Sequence, residues 1–190
     1  NMYKIQIEGY YKDLKNLLTF EEKRSSTDAA VSDSTLSYIL TPADGYAYGV
    51  EFFGQKMSGN LSGWISYTYS VSRKIMNSIF EDGEKEYYTN WDRTHAFSVL
   101  GNYQINKKWE TNWRLALQSG QAYTPILGYY VQKFPESPEE IFRTIPGSRN
   151  SERYKPYSRL DIGAVYHGKI GKTNVDFFFQ HSLQNIDHQR

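Results

Sequence analysis

Cysteine is absent from these 190 residues. That removes a disulfide framework and a thiolate zinc site from consideration. An excess of either charge is absent too: 22 Lys and Arg stand against 21 Asp and Glu, a net charge of +1. Nucleic-acid binding therefore has no electrostatic footprint here. No stretch approaches the ~20 consecutive apolar residues of a membrane helix, and mean hydropathy is −0.68. A helical membrane protein is excluded. Membrane strands are not, because their alternating residues average out in any hydropathy window. The opening NMYKIQIEGYYKD carries no apolar signal-peptide core. It reads as a cytosolic chain or as one that starts partway through a longer one.

What the chain has is aromatic residues: 17 Tyr, 10 Phe and 4 Trp. Rings with a wet tip gather at membrane–water interfaces, and also on sugar-binding surfaces. Their placement follows a period of two. In LSGWISYTYSVS, 61–72, Leu61, Ile65, Tyr67, Tyr69 and Val71 alternate with Ser62, Trp64, Ser66, Thr68, Ser70 and Ser72. Such alternation gives a strand two unlike faces. Seven stretches behave this way, near 2–13, 45–57, 61–73, 93–105, 108–120, 157–169 and 173–184. They run longer than the ~5–6 residues of an ordinary strand and suit the ~9–11 of a tilted membrane strand.

The connections between them alternate in length. Long segments near 14–44, 74–92 and 121–156 take turns with tight turns at Ser58-Gly59-Asn60, Asn106-Lys107 and Gly171-Lys172. Outer-membrane barrels have short periplasmic turns and long extracellular loops, whereas a soluble sandwich has no reason to collect its long loops at one end. The expectation is an all-β, antiparallel, up-and-down transmembrane β-barrel wall of about seven long strands. Leu61, Ile65, Tyr67 and Val71 then face lipid, and Glu51, Trp64, Glu110, Arg114, Arg159 and Asp161 face the lumen. Tyr3, Phe52, Tyr103, Trp109 and Phe177 fall near the periplasmic rim, with Tyr11, Tyr48, Tyr69 and Tyr166 near the outer one. Seven is odd, and two bare edges in lipid cost several kcal/mol per unpaired group. Residues 1–190 thus read as one partial barrel domain, with the remaining strands outside the chain.

Motifs in order along the chain point to one family. IEGYYKDLKNLL (7–18), GYAYGVEFFGQ (45–55), NWDRTHAFSVLGNYQI (90–105), LQSGQAYTP (117–125), PYSRLDIGAVY (156–166) and LQNIDHQR (183–190) together resemble the C-terminal barrel portion of TonB-dependent outer-membrane transporters. The resemblance covers roughly a third of such a barrel; the family's plug, energy-coupling box and aromatic-ended last strand are not in these residues. It implies residence in the outer membrane of a Gram-negative bacterium. It also implies active import of a scarce ligand such as an iron chelate, cobalamin or a glycan, without a cofactor. The partners implied are outer-membrane lipid, a plug domain of the same protein and a TonB-type inner-membrane energy-coupling complex.

Candidate ligand contacts are the aromatic and Arg residues of the long segments: Tyr87, Tyr88, Trp91, Tyr123, Tyr129, Tyr130, Arg143, Arg149, Arg153 and Tyr154. Stacking and bidentate bonds from such residues grip sugar rings or anionic chelates; equally, they can brace the loops against one another. GKIGKT, 168–173, ends like a phosphate loop, but Tyr166 stands where that motif needs Gly, and a β-turn is expected. FEDGEKE, 80–86, reads as a solvated charge run without calcium-loop spacing. Asp92 with His95, or His181 with Ser182, lacks the third orienting group of a catalytic set, so no enzyme or metal site is expected. The alternatives to a transporter are a passive porin, a soluble aromatic-rich glycan-binding module and an outer-membrane hydrolase.

Overall fold

The computed structural model describes residues 2–22, 38–77, 84–134 and 137–185. Among them there are twelve strands and no helix. Seven form one antiparallel sheet in chain order: β1 (Tyr3–Glu22), β2 (Tyr38–Lys56), β3 (Leu61–Asn77), β5 (His95–Gln104), β6 (Trp109–Gln118), β11 (Tyr157–Ile170) and β12 (Thr173–Gln184). All seven alternating stretches are therefore strands of one up-and-down sheet. β4 (Glu84–Tyr88) pairs with the far end of β3. The short β7 (Ala122–Tyr123) pairs with β10 (Glu152–Arg153), and β8 (Ile126–Phe134) with β9 (Ser137–Pro146). Among the described residues β1 and β12 are not paired with each other, so each leaves one edge open.

Register decides what the alternation does. Ile7 lies opposite Phe52, Phe52 opposite Tyr67, Tyr67 opposite Phe97, and Phe97 opposite Leu117. Further along, Leu115 faces Leu160, and Leu160 faces Leu183. Directly opposed residues share a face, so the apolar sets of all seven strands merge into one surface. A slip of one residue in any strand would turn its apolar set to the other side. His181, opposite Ile162, interrupts this surface.

Among the described residues no other strand packs across it. Ile5, Ile7, Tyr11, Val50, Leu61, Ile65, Ile162, Phe177, Phe179 and Leu183 are all exposed, Ile5 by 72%. Buried hydrophobic residues are few and mostly small: Ala43, Val71, Met76, Tyr87, Ala116, Ala122 and Val165. A water-soluble domain of this length builds its core from large side chains. Here many of the large ones lie on an open face instead.

Three turns close one end of the sheet. At β5–β6 the Asn106 carboxamide oxygen accepts the backbone N–H groups of Lys108 at 2.8 Å and Trp109 at 3.0 Å, the side chain imitating a backbone turn. At β11–β12, Gly171 takes φ 62°, and Ile170 pairs with Thr173, so GKIGKT is a two-residue hairpin turn. Tyr166 belongs at this end, in correction of its expected place at the other. β11 runs toward the turns, and Tyr166 packs on Trp109 with centroids 4.9 Å apart and on Phe177 at 6.3 Å.

The opposite, loop end also departs from expectation. The segments near 14–44, 74–92 and 121–156 are not structureless. β1 continues to Glu22 and β2 begins at Tyr38, with a register shift between Leu14 and Leu17 where Asn16 takes φ 56°. Asn tolerates that left-handed conformation better than most residues. Residues 23–37, most of FEDGEKE and the end of LQNIDHQR (186–190) lie outside the described residues.

Candidate ligand site at the loop end

One edge of β3 serves two strands: β5 pairs with Leu61–Tyr69, and β4 with Arg73–Asn77. Between them the ladder is interrupted, and backbone groups there need other partners. Ser70 N–H donates to the Thr94 carbonyl at 3.0 Å, and Thr89 N–H donates to the Ser72 carbonyl at 3.1 Å. Ser72 N–H donates to Asp92 Oδ1 at 2.7 Å, so a carboxylate takes the place of a strand carbonyl. Asp92 is 2% exposed, and a buried charge needs a counter-ion. Arg153 supplies it, with Nη2 to Oδ2 at 2.5 Å. Its Nη1 donates to the Gly120 carbonyl at 3.1 Å. Thus β3, the β4–β5 link and the 119–156 segment meet at one carboxylate.

Aromatic rings and cations extend this junction. The Tyr88 ring lies 3.9 Å from the Arg73 guanidinium and 4.6 Å from that of Arg153. Arg73 also pairs with Glu86 at 3.3 Å, and the Tyr46 hydroxyl donates to Glu86 at 2.5 Å. That bond to a carboxylate raises the Tyr46 phenol above its ordinary pKa. On the other face Tyr87, Met76 and Ala43 form a small core with Leu17 beside it. Arg149 covers it: its guanidinium is 4.6 Å from the Tyr87 ring, and Nη2 donates to Thr19 Oγ1 at 3.2 Å. Asn150 Nδ2 donates to the Tyr88 carbonyl at 2.6 Å. Tyr123 and Tyr154 stack at 4.3 Å beside the β7–β10 pair.

The sequence-selected ligand residues fall into two groups. Tyr87, Tyr88, Tyr123, Arg149 and Arg153 are buried or half-buried and hold the segments together. Trp91, Tyr129, Tyr130, Arg143 and Tyr154 are exposed, Tyr129 by 69%. Tyr129, Tyr130 and Arg143 lie on the β8–β9 hairpin, where Tyr130 faces Arg143 across the ladder and Arg143 donates to Gln132 at 3.3 Å. Sequence reasoning missed Asp92 as the junction and Lys74 as a neighbour of Trp91, with its Nζ 5.3 Å from the Trp91 ring centre. No spacing rule marks either one; both depend on how β3 is shared between two strands.

Glu51, Trp64, Glu110, Arg114, Arg159 and Asp161 all lie on the sheet's polar face. Trp64 faces Leu100, Leu100 faces Arg114, and Arg114 faces Asp161. Opposite charges neighbour one another there: Arg159 Nε donates to both Asp161 oxygens at 3.0 and 2.9 Å. Asp92 and His95 do not bond to each other; His95 Nδ1 pairs with the Tyr67 hydroxyl at 2.8 Å. His181 and Ser182 point to opposite faces.

No family model, curated protein or solved structure matches the chain.

Proposed function

We propose that this chain is wall of an outer-membrane β-barrel of the TonB-dependent transporter type, importing a scarce ligand such as an iron chelate, cobalamin or a glycan. The observation that carries this reading is the open apolar face formed by seven strands in register. β5 and β6 are ten residues each, about 33 Å of strand at ~3.3 Å per residue. Tilted by ~45° they rise about 23 Å, close to the ~25 Å apolar band of such barrels. Trp109, Tyr166 and Phe177 then form part of the periplasmic aromatic girdle, and the polar face lines the lumen. The edges of β1 and β12 pair with further strands to close the barrel, because an open edge in lipid leaves backbone groups without partners. The ordered motifs that resemble this family favour import with a plug and an energy-coupling partner. Trp91, Tyr129, Tyr130, Arg143 and Tyr154 are the surface offered to a ligand.

The experiment is uptake by cells with and without the gene, tested with ferric chelates, cobalamin and oligosaccharides. One of these is expected to enter only with the gene present, and uptake stops when the inner-membrane proton gradient is collapsed. Uptake that persists without the gradient would mean a passive pore. A protein recovered as a detergent-free soluble monomer would end the membrane reading.

A further inference from the structure

At the tight-turn end of the polar face, one imidazole stands between carboxylates from the two flanking strands. His167 on β11 is in register with Asp176 on β12, and its Nδ1 lies 2.7 Å from Asp176 Oδ1. A carboxylate only accepts, so Nδ1 carries the hydrogen and donates it. That fixes the other ring nitrogen. In the neutral ring Nε2 is a lone pair, and it faces Glu110 Oε2 on β6 at 3.8 Å. Two acceptors then oppose each other. In the imidazolium Nε2 carries a hydrogen as well, and each carboxylate meets a donor. The charged ring therefore ties β6 to β12 across β11, whereas the neutral ring holds β12 alone. The surrounding groups leave this balance to the two carboxylates. Gln104 on β5, opposite Glu110, and Asn174 on β12, opposite Lys169, are neutral. The cations at this end are Lys107, Lys108, Lys169 and Lys172. Among the described residues none of them is ion-paired with Glu110 or Asp176. His167 lies on the turn side of the Tyr166 contacts with Trp109 and Phe177, and its side chain is 39% exposed, so water reaches it. The hydrogen bond to Asp176, helped by the charges of Asp176 and Glu110, raises its pKa above the ordinary value.

We propose that His167, with Asp176 and Glu110, is a proton-responsive clamp that locks strand β12 into the sheet at its tight-turn end. The clamp is a property of the sheet and does not rest on transport. β12 is the strand it serves most, since among the described residues β12 is paired on one side only. A raised folded value sets the sign. The stability contributed by the clamp is complete below the unfolded value of ~6.5 and is lost as pH rises through the higher folded value. In the barrel reading this face lines the lumen beside the periplasm, so the clamp answers to the pH of that compartment.

The test uses the full-length protein in detergent. Isotope-labelled histidine rings are titrated by NMR, and the His167→Gln variant assigns the His167 signals. The His167 midpoint is expected above the ordinary ~6.5. Asp176→Asn should shift it down, and Glu110→Gln should shift it down by less. In parallel, the protection of β12 backbone amides against hydrogen exchange is followed from about pH 5 to about pH 8. Wild-type protection should fall about threefold as pH passes the His167 midpoint, the scale of a half-exposed ion pair. In His167→Gln it should stay level. A midpoint at or below ~6.5, or one that Asp176→Asn leaves unmoved, overturns the proposal. So does a protection step that persists in His167→Gln. If Asp176→Asn does not fold, Glu110→Gln decides instead, because it leaves the Asp176 bond in place; an unmoved midpoint there refutes the clamp. Uptake that proves passive leaves the titration unchanged, so the two readings fail separately.

Discussion

Replacing Asp92 with alanine removes the junction of the loop end. Two groups lose a partner. Ser72 N–H, held at 2.7 Å by Oδ1, sits in a break of the ladder that no strand carbonyl fills; an unsatisfied buried donor costs about 1–3 kcal/mol. Arg153 loses a carboxylate at 2.5 Å. A fully buried pair broken on one side costs about 3–5 kcal/mol. The Arg153 side chain is 31% exposed, so water recovers part of that, leaving about 1–2 kcal/mol. Arg153 also keeps the Gly120 carbonyl at 3.1 Å. Together these give about 2–5 kcal/mol for Asp92→Ala. Asp92→Asn keeps an oxygen for Ser72 and loses only the charge, about 1–2 kcal/mol. Urea unfolding of the folded protein in detergent measures both. The pair's coupling follows from a double-mutant cycle with Arg153→Gln. An Asp92→Ala variant within about 0.5 kcal/mol of wild type, the range of an ordinary surface substitution, would refute the reasoning.

Gly101 lies opposite Trp113, and a Cβ there would collide with the indole ring. Gly101→Ala should cost about 1–3 kcal/mol through overpacking and shift the near-ultraviolet dichroism of Trp113; an unchanged spectrum would show that the ring does not lie over that glycine. Val99→Arg, on the apolar face opposite Ile65 and Leu115, should cost about 2–4 kcal/mol in a bilayer. Ser98→Arg, one residue away on the polar face, should cost far less by the same unfolding assay. The Tyr46 phenol, raised by its bond to Glu86, contributes stability that is complete below the unfolded value of ~10 and disappears as pH rises through the raised folded value. Tyr46→Phe should remove that alkaline step from the pH–stability curve, and a step of unchanged size would assign it to another group.

The sheet was legible because parity alone specifies it. In LSGWISYTYS every second residue is Ser or Thr, with Trp64 the one exception, and pairing only had to keep the two sets apart. The strand extensions were not legible. LKNLLTFEE, 14–22, sets Leu17 and Leu18 side by side, and the register shift after Leu14 hides the period. The place of Tyr166 beside Trp109 was legible as well, because it stands five residues before the Gly171-Lys172 turn, at the tight-turn end and not at the outer rim. At the loop end, residue type marked the aromatic and Arg candidates but not which of them turn inward. That division depends on Asp92 anchoring Arg153 and on Thr19 receiving Arg149, contacts 61 and 130 residues apart. The tight turns could be read from Asn106 and Gly171, whose local chemistry acts within three residues.

The central claim is that the open apolar face meets acyl chains. A chain without cysteine accepts single nitroxide labels cleanly, at Ile65, Val99, Leu115 and Ile162 on one face and at Ser66, Ser98 and Arg114 on the other. In reconstituted bilayers, labels on the first set should be relaxed strongly by oxygen and weakly by a water-soluble nickel chelate, with the reverse on the second. Labels on the apolar set shielded from both reagents would mean that protein covers that face, and the account would fail.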